Sequence, residues 1–395
     1  MISVIGVEKR VSDLLVALVG LERRIDPYYR DTFDQLFQEP IASLVQAIIN
    51  RSRRDDHLAL GEEKVLPDEQ KIAEAIAEQM AHFLHTHYQP GNAQRAGNTK
   101  TYGVARGTFE VRPDLPDHLR QGIFREARSY PAWVRFAGPG PLAPPDLDDN
   151  GILSIGIKVM AVPGDKLLDD EKSTQDFTGI SAPTFTTPNV AENLKLQQWL
   201  GRGTPVLYFV HPRDPHLLDA IMQGLYARTQ RNPLEARYWS CAAYRFGEDR
   251  AIQYTIKPRS GEQTAIPRRP GPNYLREAMA RTLSRREVLF DFLVQFQTDA
   301  FRMPIEDASV VWPERLSPYL PVAQLRLPVQ QFDSPRQLAF ADNLSFNPWH
   351  SLAAHRPLGN QNRARRIIYL ELSQLRQAMN GTAHLEPTGA EVFDD

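Results

Sequence analysis

The chain has 395 residues, of which 42% are hydrophobic and 24% charged, a composition typical of a folded globular protein rather than a disordered or fibrous one. Its 46 basic and 48 acidic residues leave a net charge of −2, which provides no overall positive field for binding nucleic acid. The single cysteine, Cys241, excludes an internal disulfide and a thiolate metal site. This cysteine usage fits a reducing compartment, and we expect a cytoplasmic protein.

Residues 1–90 are predicted to form a helical N-terminal arm, because apolar residues recur there at intervals of three and four positions. The apolar run over residues 14–21 is far shorter than the ~20 residues of a membrane-spanning helix, so no membrane span is expected. Charged residues precede this run and no cleavage site follows it, so no signal peptide is expected either. The apolar face over residues 11–21 could pack on the rest of the chain, pair with another chain or lie on a membrane surface. We expect it to pack.

Residues 91–395 have a different sequence pattern and are predicted to form one α+β domain. Short β-like runs bounded by glycine and proline predict seven or more strands, at Gly103–Val111, Ala132–Phe136, Ile152–Val162, Val206–Val210, Ala251–Lys257, Val288–Thr298 and Val322–Leu327. Helical patterns interrupt or follow them at Pro188–Leu200, His216–Thr229 and Asn362–Met379. This order favours a mainly antiparallel sheet or barrel over alternating βαβ units.

The usual motifs of nucleotide-binding proteins, zinc proteases and serine hydrolases are absent from the sequence. The densest histidine cluster comprises His82, His85 and His87, which could ligate a metal if the helix ended at Thr86. The alternative is a polar helix end, where imidazoles complement the negative end of the helix dipole, and we favour it.

The C-terminal segment offers a second candidate. In a helix starting near Asn362, Arg365 and Tyr369 are four residues apart and share a face, so the guanidinium can reach the phenol oxygen. A neighbouring positive charge favours phenolate, and tyrosine is the axial ligand of haem in catalases. The pair alone is weak, because a buried tyrosine whose hydroxyl is satisfied by an arginine would have the same spacing.

Several segments, taken in chain order, support the interpretation of Arg365 and Tyr369 as part of a haem site. They are GVARGTFEV (103–111), AWVRF (132–136), GIKV (156–159), QDFTGISAPTF (175–185), YWSCAAYRFG (238–247), VVWP (310–313), YLPVAQLRL (319–327) and FNPWHSLAAHRPLG (346–359). In these segments, and over residues 100–369 as a whole, the chain resembles the haem catalase superfamily. It resembles more closely the small catalase-related branch of hydroperoxide-metabolising enzymes.

The resemblance implies a catalase-like antiparallel β-barrel core with flanking helices that binds haem b. Tyr369 would be the proximal iron ligand, and Arg365 would keep it ionised. Arg135 would pair with a haem propionate, a role that suits a strand-borne guanidinium facing a buried carboxylate.

On the distal side the chain departs from the family pattern. Tyr102 stands in the context Lys100-Thr101-Tyr102-Gly103, where the family has a histidine, although a shift of register would place Asn98 in the pocket instead. Thr101 could hydrogen-bond a ligand there. The family's distal asparagine is replaced by Ile180 or Ser181, depending on the register.

A phenol with a pKa of about 10 is a poor base for peroxide cleavage, so weak or no H₂O₂ dismutation is expected. The resemblance then implies a haem enzyme acting on an organic hydroperoxide, such as a lipid hydroperoxide, or on a related oxidant. The alternatives are a noncatalytic haem-binding or sensing protein, and a scaffold that has lost haem. The sequence leaves open whether the chain forms a homo-oligomer or contacts a membrane surface through its N-terminal arm.

Overall fold

The computed structural model describes residues 4–53, 57–149 and 151–393. Its N-terminal part is helical, as predicted, with α1 (Val4–Phe33), α2 (Glu39–Ser52) and α3 (Glu69–His87). A single π-helical turn, Asp34–Gln38, joins α1 to α2. The predicted division of the chain at residues 90 and 91 stays a prediction.

Nine strands follow: β1 (Thr101–Val111), β2 (Ser129–Ala137), β3 (Ser154–Val159), β4 (Gln175–Ile180), β5 (Tyr238–Trp239), β6 (Tyr244–Phe246), β7 (Arg250–Pro258), β8 (Val288–Phe296) and β9 (Leu320–Leu327). Every pairing between them is antiparallel. Strands β1 to β5 and β7 to β9 close into an eight-stranded barrel, because β5 pairs with β7 and β9 returns to β1, while β6 lies beside β7. The antiparallel β-barrel is therefore confirmed.

The barrel interior is a single apolar core rich in aromatic rings. Phe109, Phe177, Tyr254 and Phe292 pack together there with ring centroids 4.8 to 5.6 Å apart. Side chains alternate between the two faces of each strand, so the neighbours of these inward residues point outward. The outward row that matters for function pairs Val104 of β1, Arg135 of β2, Gly156 of β3 and Thr178 of β4.

Further helices surround the barrel, at α4 (Val190–Gly201), α5 (Leu207–Val210), α6 (Leu217–Tyr226), α7 (Tyr274–Leu283), α8 (Pro335–Asn343) and α9 (Asn360–Asn380). Helix α9 packs on α3 and α4 through an apolar cluster that includes Ile76, Val190 and Ile368. Gly359 starts α9 with φ of 86°, and a Cβ there would lie 2.4 Å from the carbonyl oxygen of Ile305. Glycine is therefore required where the chain enters this helix.

Two sequence expectations are corrected, and strands β4, β5 and β6 have no counterpart among the predicted strands. Val206–Val210, predicted as a strand, contains the short helix α5, because Pro205 suits a first helical turn and its carbonyl accepts the amide of Tyr208 at 3.2 Å. Strands β5 and β6 are too short to show a period in sequence. The apolar face over residues 11–21 does not pack on the rest of the chain: Val11, Leu14, Leu18 and Leu21 are exposed.

Among the described residues, no helix has the length and apolarity that crossing a membrane would require.

Candidate functional site

Helix α9 aligns four polar or titratable side chains along one stripe. Asn362, Arg365, Tyr369 and Arg376 follow one another at intervals of three, four and seven residues, which places them on one helical face. At 1.5 Å per residue, the seven residues from Tyr369 to Arg376 span about 10 Å along the helix axis. The stripe therefore presents a phenol near its middle and a guanidinium about 10 Å away.

Arg365 and Tyr369 lie close together, as the sequence predicts. The Arg365 guanidinium donates to Oδ1 of Asn362 at 2.9 Å and lies 5.2 Å from the ring centre of Phe185. Burial opposes its positive charge, but Tyr369 and Tyr244 favour it, and the pKa of Arg365 is raised overall. The half-buried Tyr369 has no hydrogen-bond partner for its hydroxyl among the described residues, and its ring packs on the α3–α4 cluster. A phenol beside a fixed cation and free of other partners is suited to ligating a metal.

Arg135 points outward from β2 and is almost fully buried. Its guanidinium donates to the Thr101 hydroxyl at 2.8 and 3.1 Å, and to the carbonyl oxygens of Asn98 and Thr99 at 2.8 and 3.1 Å. These acceptors are neutral, so they fix the guanidinium without balancing its charge. Such a buried cation is well placed to hold an anion.

Two further arginines share the surroundings of Arg135, and the sequence reasoning missed both. Arg95 donates to the carbonyl oxygen of Leu344 at 2.6 Å, and Arg376 donates to the same oxygen at 3.2 Å. Burial, followed by the charge of Arg95, lowers the pKa of Arg135 well below its usual range and that of Arg376 to about 9. We call Arg95, Arg135 and Arg376 the arginine cluster.

The described carboxylate that offsets this charge is Asp342. Its Oδ1 lies 3.8 Å from Nη1 of Arg95 and accepts from the Thr101 hydroxyl at 3.2 Å, and its side chain is 45% exposed. Because guanidinium groups stay protonated in proteins, the lowered pKa values express a shortage of negative charge. A ligand carrying one or two carboxylates would correct that shortage.

The residues expected on the distal side are brought together only in part. Thr101 contacts Arg135, as described above. Tyr102 occupies a bulge in the β1–β2 pairing, and its side chain lies in the barrel core with Tyr238 and Tyr274. Burial, and then the carboxylates of Asp146 and Asp149, raises its pKa well above 10.

The Tyr102 hydroxyl is buried without a hydrogen-bond partner among the described residues, although its proximity affects the pKa of Arg135. Its role on the distal side stays a prediction. Ser181 accepts the Leu153 amide at 2.8 Å and lines a separate pocket of about 230 Å³ beside Arg228, Arg237 and Trp239. The structure therefore does not unite Ser181 with the arginine cluster.

The three histidines at the end of α3 are exposed and are not among the metal-binding groups that the described residues bring together. Two other groups do converge, Glu171 with Asp176 and His350, and Glu192 with Asp214 and His216. A lysine already bridges the carboxylates of each: Lys158 contacts Glu171 and Asp176, and Lys195 contacts Glu192 and Asp214. The polar helix end is the better description of the histidine cluster.

Comparisons with known proteins bear on the fold. No protein-family model matches the chain, and no curated protein is significantly similar to it in sequence. A fungal catalase aligns with it at a TM-score of 0.59 and 14% identity, over 86% of this chain and 70% of the catalase. Catalase A from Saccharomyces cerevisiae aligns at a TM-score of 0.59 and 15% identity, over 86% of this chain and 72% of the catalase. A bacterial catalase aligns at a TM-score of 0.53 and 15% identity, over 87% of this chain and 70% of the catalase. At such identities the similarity establishes the fold alone, and the chain has the fold of the catalase-like superfamily.

Proposed function

We propose that this chain binds haem b between α9 and the barrel, and that Tyr369 would ligate its iron. One observation carries the proposal: the α9 stripe holds a phenol with its cation, Tyr369 and Arg365, and about 10 Å further along the helix axis it holds Arg376, a member of the arginine cluster. A haem has its iron at the centre and two carboxylates at one edge, so it matches this spacing and this shortage of negative charge. When bound, it would supply an iron centre able to cleave a peroxide bond.

The chain's own residues would hold the group at two places. Arg135 and Arg376 would pair with the propionates, and the positive charge of Arg365 would lie beside the Tyr369 ligand. Thr101 would hold Arg135 in position through the two contacts described above. Gly156, the neighbour of Arg135 on β3, leaves room for the ring of Phe346, because a Cβ there would lie 2.8 Å from that ring.

We propose further that the reaction is the conversion of an organic hydroperoxide, such as a lipid hydroperoxide, with little dismutation of H₂O₂. Efficient dismutation needs a group that accepts and returns a proton near pH 7. The raised pKa of Tyr102 keeps its phenol protonated, so it can donate a hydrogen bond but cannot serve as a base. The hydroxyls of Thr101 and Ser181 do not titrate near neutral pH and cannot replace it. Such chemistry would fit the small catalase-related branch that the sequence resembles.

A second candidate function is noncatalytic haem binding, as in a sensor. The same absence of a base among the predicted distal residues favours it. Turnover of an organic hydroperoxide separates the two candidates.

The binding proposal is tested with purified protein to which haem b is added. A ferric, phenolate-ligated absorption spectrum is expected from the wild-type chain. Tyr369→Phe should lose this spectrum, whereas the control Tyr208→Phe should keep it, because Tyr208 lines a different pocket. A Tyr369→Phe variant with the wild-type spectrum and full haem occupancy would show that the ligand is another residue.

The activity proposal is tested on the haem-loaded protein. Oxygen evolution from H₂O₂ should be slower than that of a catalase by about 10² to 10⁴, the usual effect of a missing acid–base group. A fatty-acid hydroperoxide should be consumed, with products identified by mass spectrometry. Catalase-like oxygen evolution would refute the proposed specificity, and a haem-loaded protein inert towards every hydroperoxide would favour the sensing role.

A further inference from the structure

Helix α1 carries a regular apolar seam that faces away from the rest of the chain. The seam consists of Val7, Val11, Leu14, Leu18, Leu21, Ile25 and Tyr28. Successive members are alternately four and three residues apart, which is the a/d repeat of a coiled coil over three heptads. All seven side chains are between 43% and 89% exposed.

Polar residues on the opposite side of α1 attach the helix to the rest of the protein. Asp26 and Arg30 are buried there. Asp26 accepts the Thr229 amide at 2.7 Å, the Thr229 hydroxyl donates to the carbonyl oxygen of Arg23 at 2.6 Å, and Arg30 donates to the carbonyl oxygen of Gly224 at 3.3 Å. A surface helix of a monomer normally buries its apolar stripe and exposes its polar one. Helix α1 does the reverse, so its seam is left to a partner.

We propose that the partner is a second copy of this chain, and that two α1 helices form a parallel two-stranded coiled coil. With Tyr28 included, the seam exposes on the order of 700 Å² of side chain, which approaches the ~800 Å² per partner of a stable interface; its regular part up to Ile25 exposes roughly 500 Å². The proposal concerns this surface and does not depend on what the barrel binds.

The residues of the seam also specify the number of strands. Two of the three a positions, Val11 and Ile25, are β-branched, and the third is Leu18; the two central d positions are Leu14 and Leu21. This arrangement favours two strands over three or four. Pro27 lies inside α1 just before the last seam residue, so the regular part of the seam ends at Ile25.

The overall sign of the charges on each flank of the seam favours the parallel orientation. Glu8 and Glu22 lie on one flank of the seam, and Arg10 and Arg24 lie on the other. In a parallel pair the acidic flank of one helix faces the basic flank of its partner, whereas in an antiparallel pair each flank faces its own kind. A membrane-binding helix would have a polar face dominated by lysine and arginine, which this mixture of charges does not provide.

The first experiment measures the mass of the full chain in solution by light scattering after size-exclusion chromatography. The wild-type protein should have twice the 44.8 kDa of one chain. Leu18→Glu places a charge in the middle of the seam and should raise the dimer dissociation constant about 100-fold or more. The control Val16→Glu changes an equally exposed residue on the far side of α1 and should leave the dimer intact.

The second experiment tests orientation by disulfide cross-linking. Val11→Cys should cross-link to itself in a parallel pair on mild oxidation, while Val16→Cys should not. The native Cys241 is buried and does not interfere.

A wild-type monomer at tens of micromolar, a trimer, an intact Leu18→Glu dimer or an uncross-linked Val11→Cys would each overturn the proposal. Co-sedimentation of a monomeric wild-type chain with phosphatidylcholine vesicles would assign the seam to a membrane surface and overturn it as well.

Discussion

Replacing Arg376 with methionine should have opposite effects on the haem-free and the haem-bound protein. In the haem-free protein the guanidinium has one described hydrogen bond, to the carbonyl oxygen of Leu344 at 3.2 Å, and it repels Arg95. Burial lowers the pKa of Arg376 from its usual 12.5 to about 9, which corresponds to a cost of about 5 kcal/mol for burying the charge, at ~1.36 kcal/mol per pKa unit. This value is an upper limit, because relaxation of the site and water entry reduce the cost of a buried charge.

Removing the charge should therefore stabilise the haem-free fold by about 1–2 kcal/mol, after about 1 kcal/mol for the lost hydrogen bond is subtracted. The same change should weaken haem binding. A lost hydrogen bond between charged groups costs about 1.5–3 kcal/mol, which corresponds to an increase in Kd of roughly 10- to 150-fold.

Urea unfolding of the haem-free protein and spectroscopic titration with haem b measure the two effects separately. Arg366→Met is the matched control, because Arg366 lies on the same helix but is exposed, and both quantities should stay near their wild-type values. If Arg376→Met destabilises the haem-free fold, the cluster is not short of negative charge. If haem affinity is unchanged, the cluster does not hold the propionates.

Three other predictions concern buried groups. Tyr102→His should increase H₂O₂ consumption by the haem-loaded protein, since an imidazole can cycle a proton near pH 7, and an unchanged rate would remove Tyr102 from the distal side. Burial and then Lys158 lower the pKa of His350, but hydrogen bonds to Asp170 and Asp176 raise it to about 9, so the unfolded state loses its proton first. Stability should be full below pH 6.5 and fall by about 3 kcal/mol as the pH rises to 9, and His350→Gln should flatten this slope in urea unfolding. Lys158→Met leaves two buried carboxylates without their cation and should cost about 3–5 kcal/mol in the same assay, unlike the exposed control Lys172→Met.

The barrel could be predicted from the sequence because its strands are long enough to show their pattern. Strands β1, β2, β7, β8 and β9 have eight to eleven residues each, and all appeared as apolar runs between glycine and proline. Strand β5 has two residues and owes its place to pairing with Ile180 and Thr255, which no local pattern reveals. Local sequence therefore predicted the fold class but not the strand that closes the barrel.

Some residues of the candidate site could be predicted from local sequence, and others could not. Arg365 and Tyr369 are four residues apart on one helix, so their proximity follows from helical geometry alone. Arg376 lies a further seven residues along the same face, and this spacing could have singled it out. Arg95 could not be found in this way, because it reaches the cluster from the loop before β1 and meets the others through the carbonyl oxygen of Leu344.

Three of the segments that resemble catalases each contribute one side chain to a buried ion network. Lys158 comes from GIKV, Asp176 from QDFTGISAPTF and His350 from FNPWHSLAAHRPLG. All three side chains are fully buried, and Asp176 accepts from Lys158 at 2.9 Å and contacts Nδ1 of His350 at 2.9 Å. A buried ion network tolerates the loss of no single partner, because each remaining charge would be left uncompensated. The network fixes the segment before α9 against β3 and β4, and with it the entry into the helix that carries Tyr369 and Arg376.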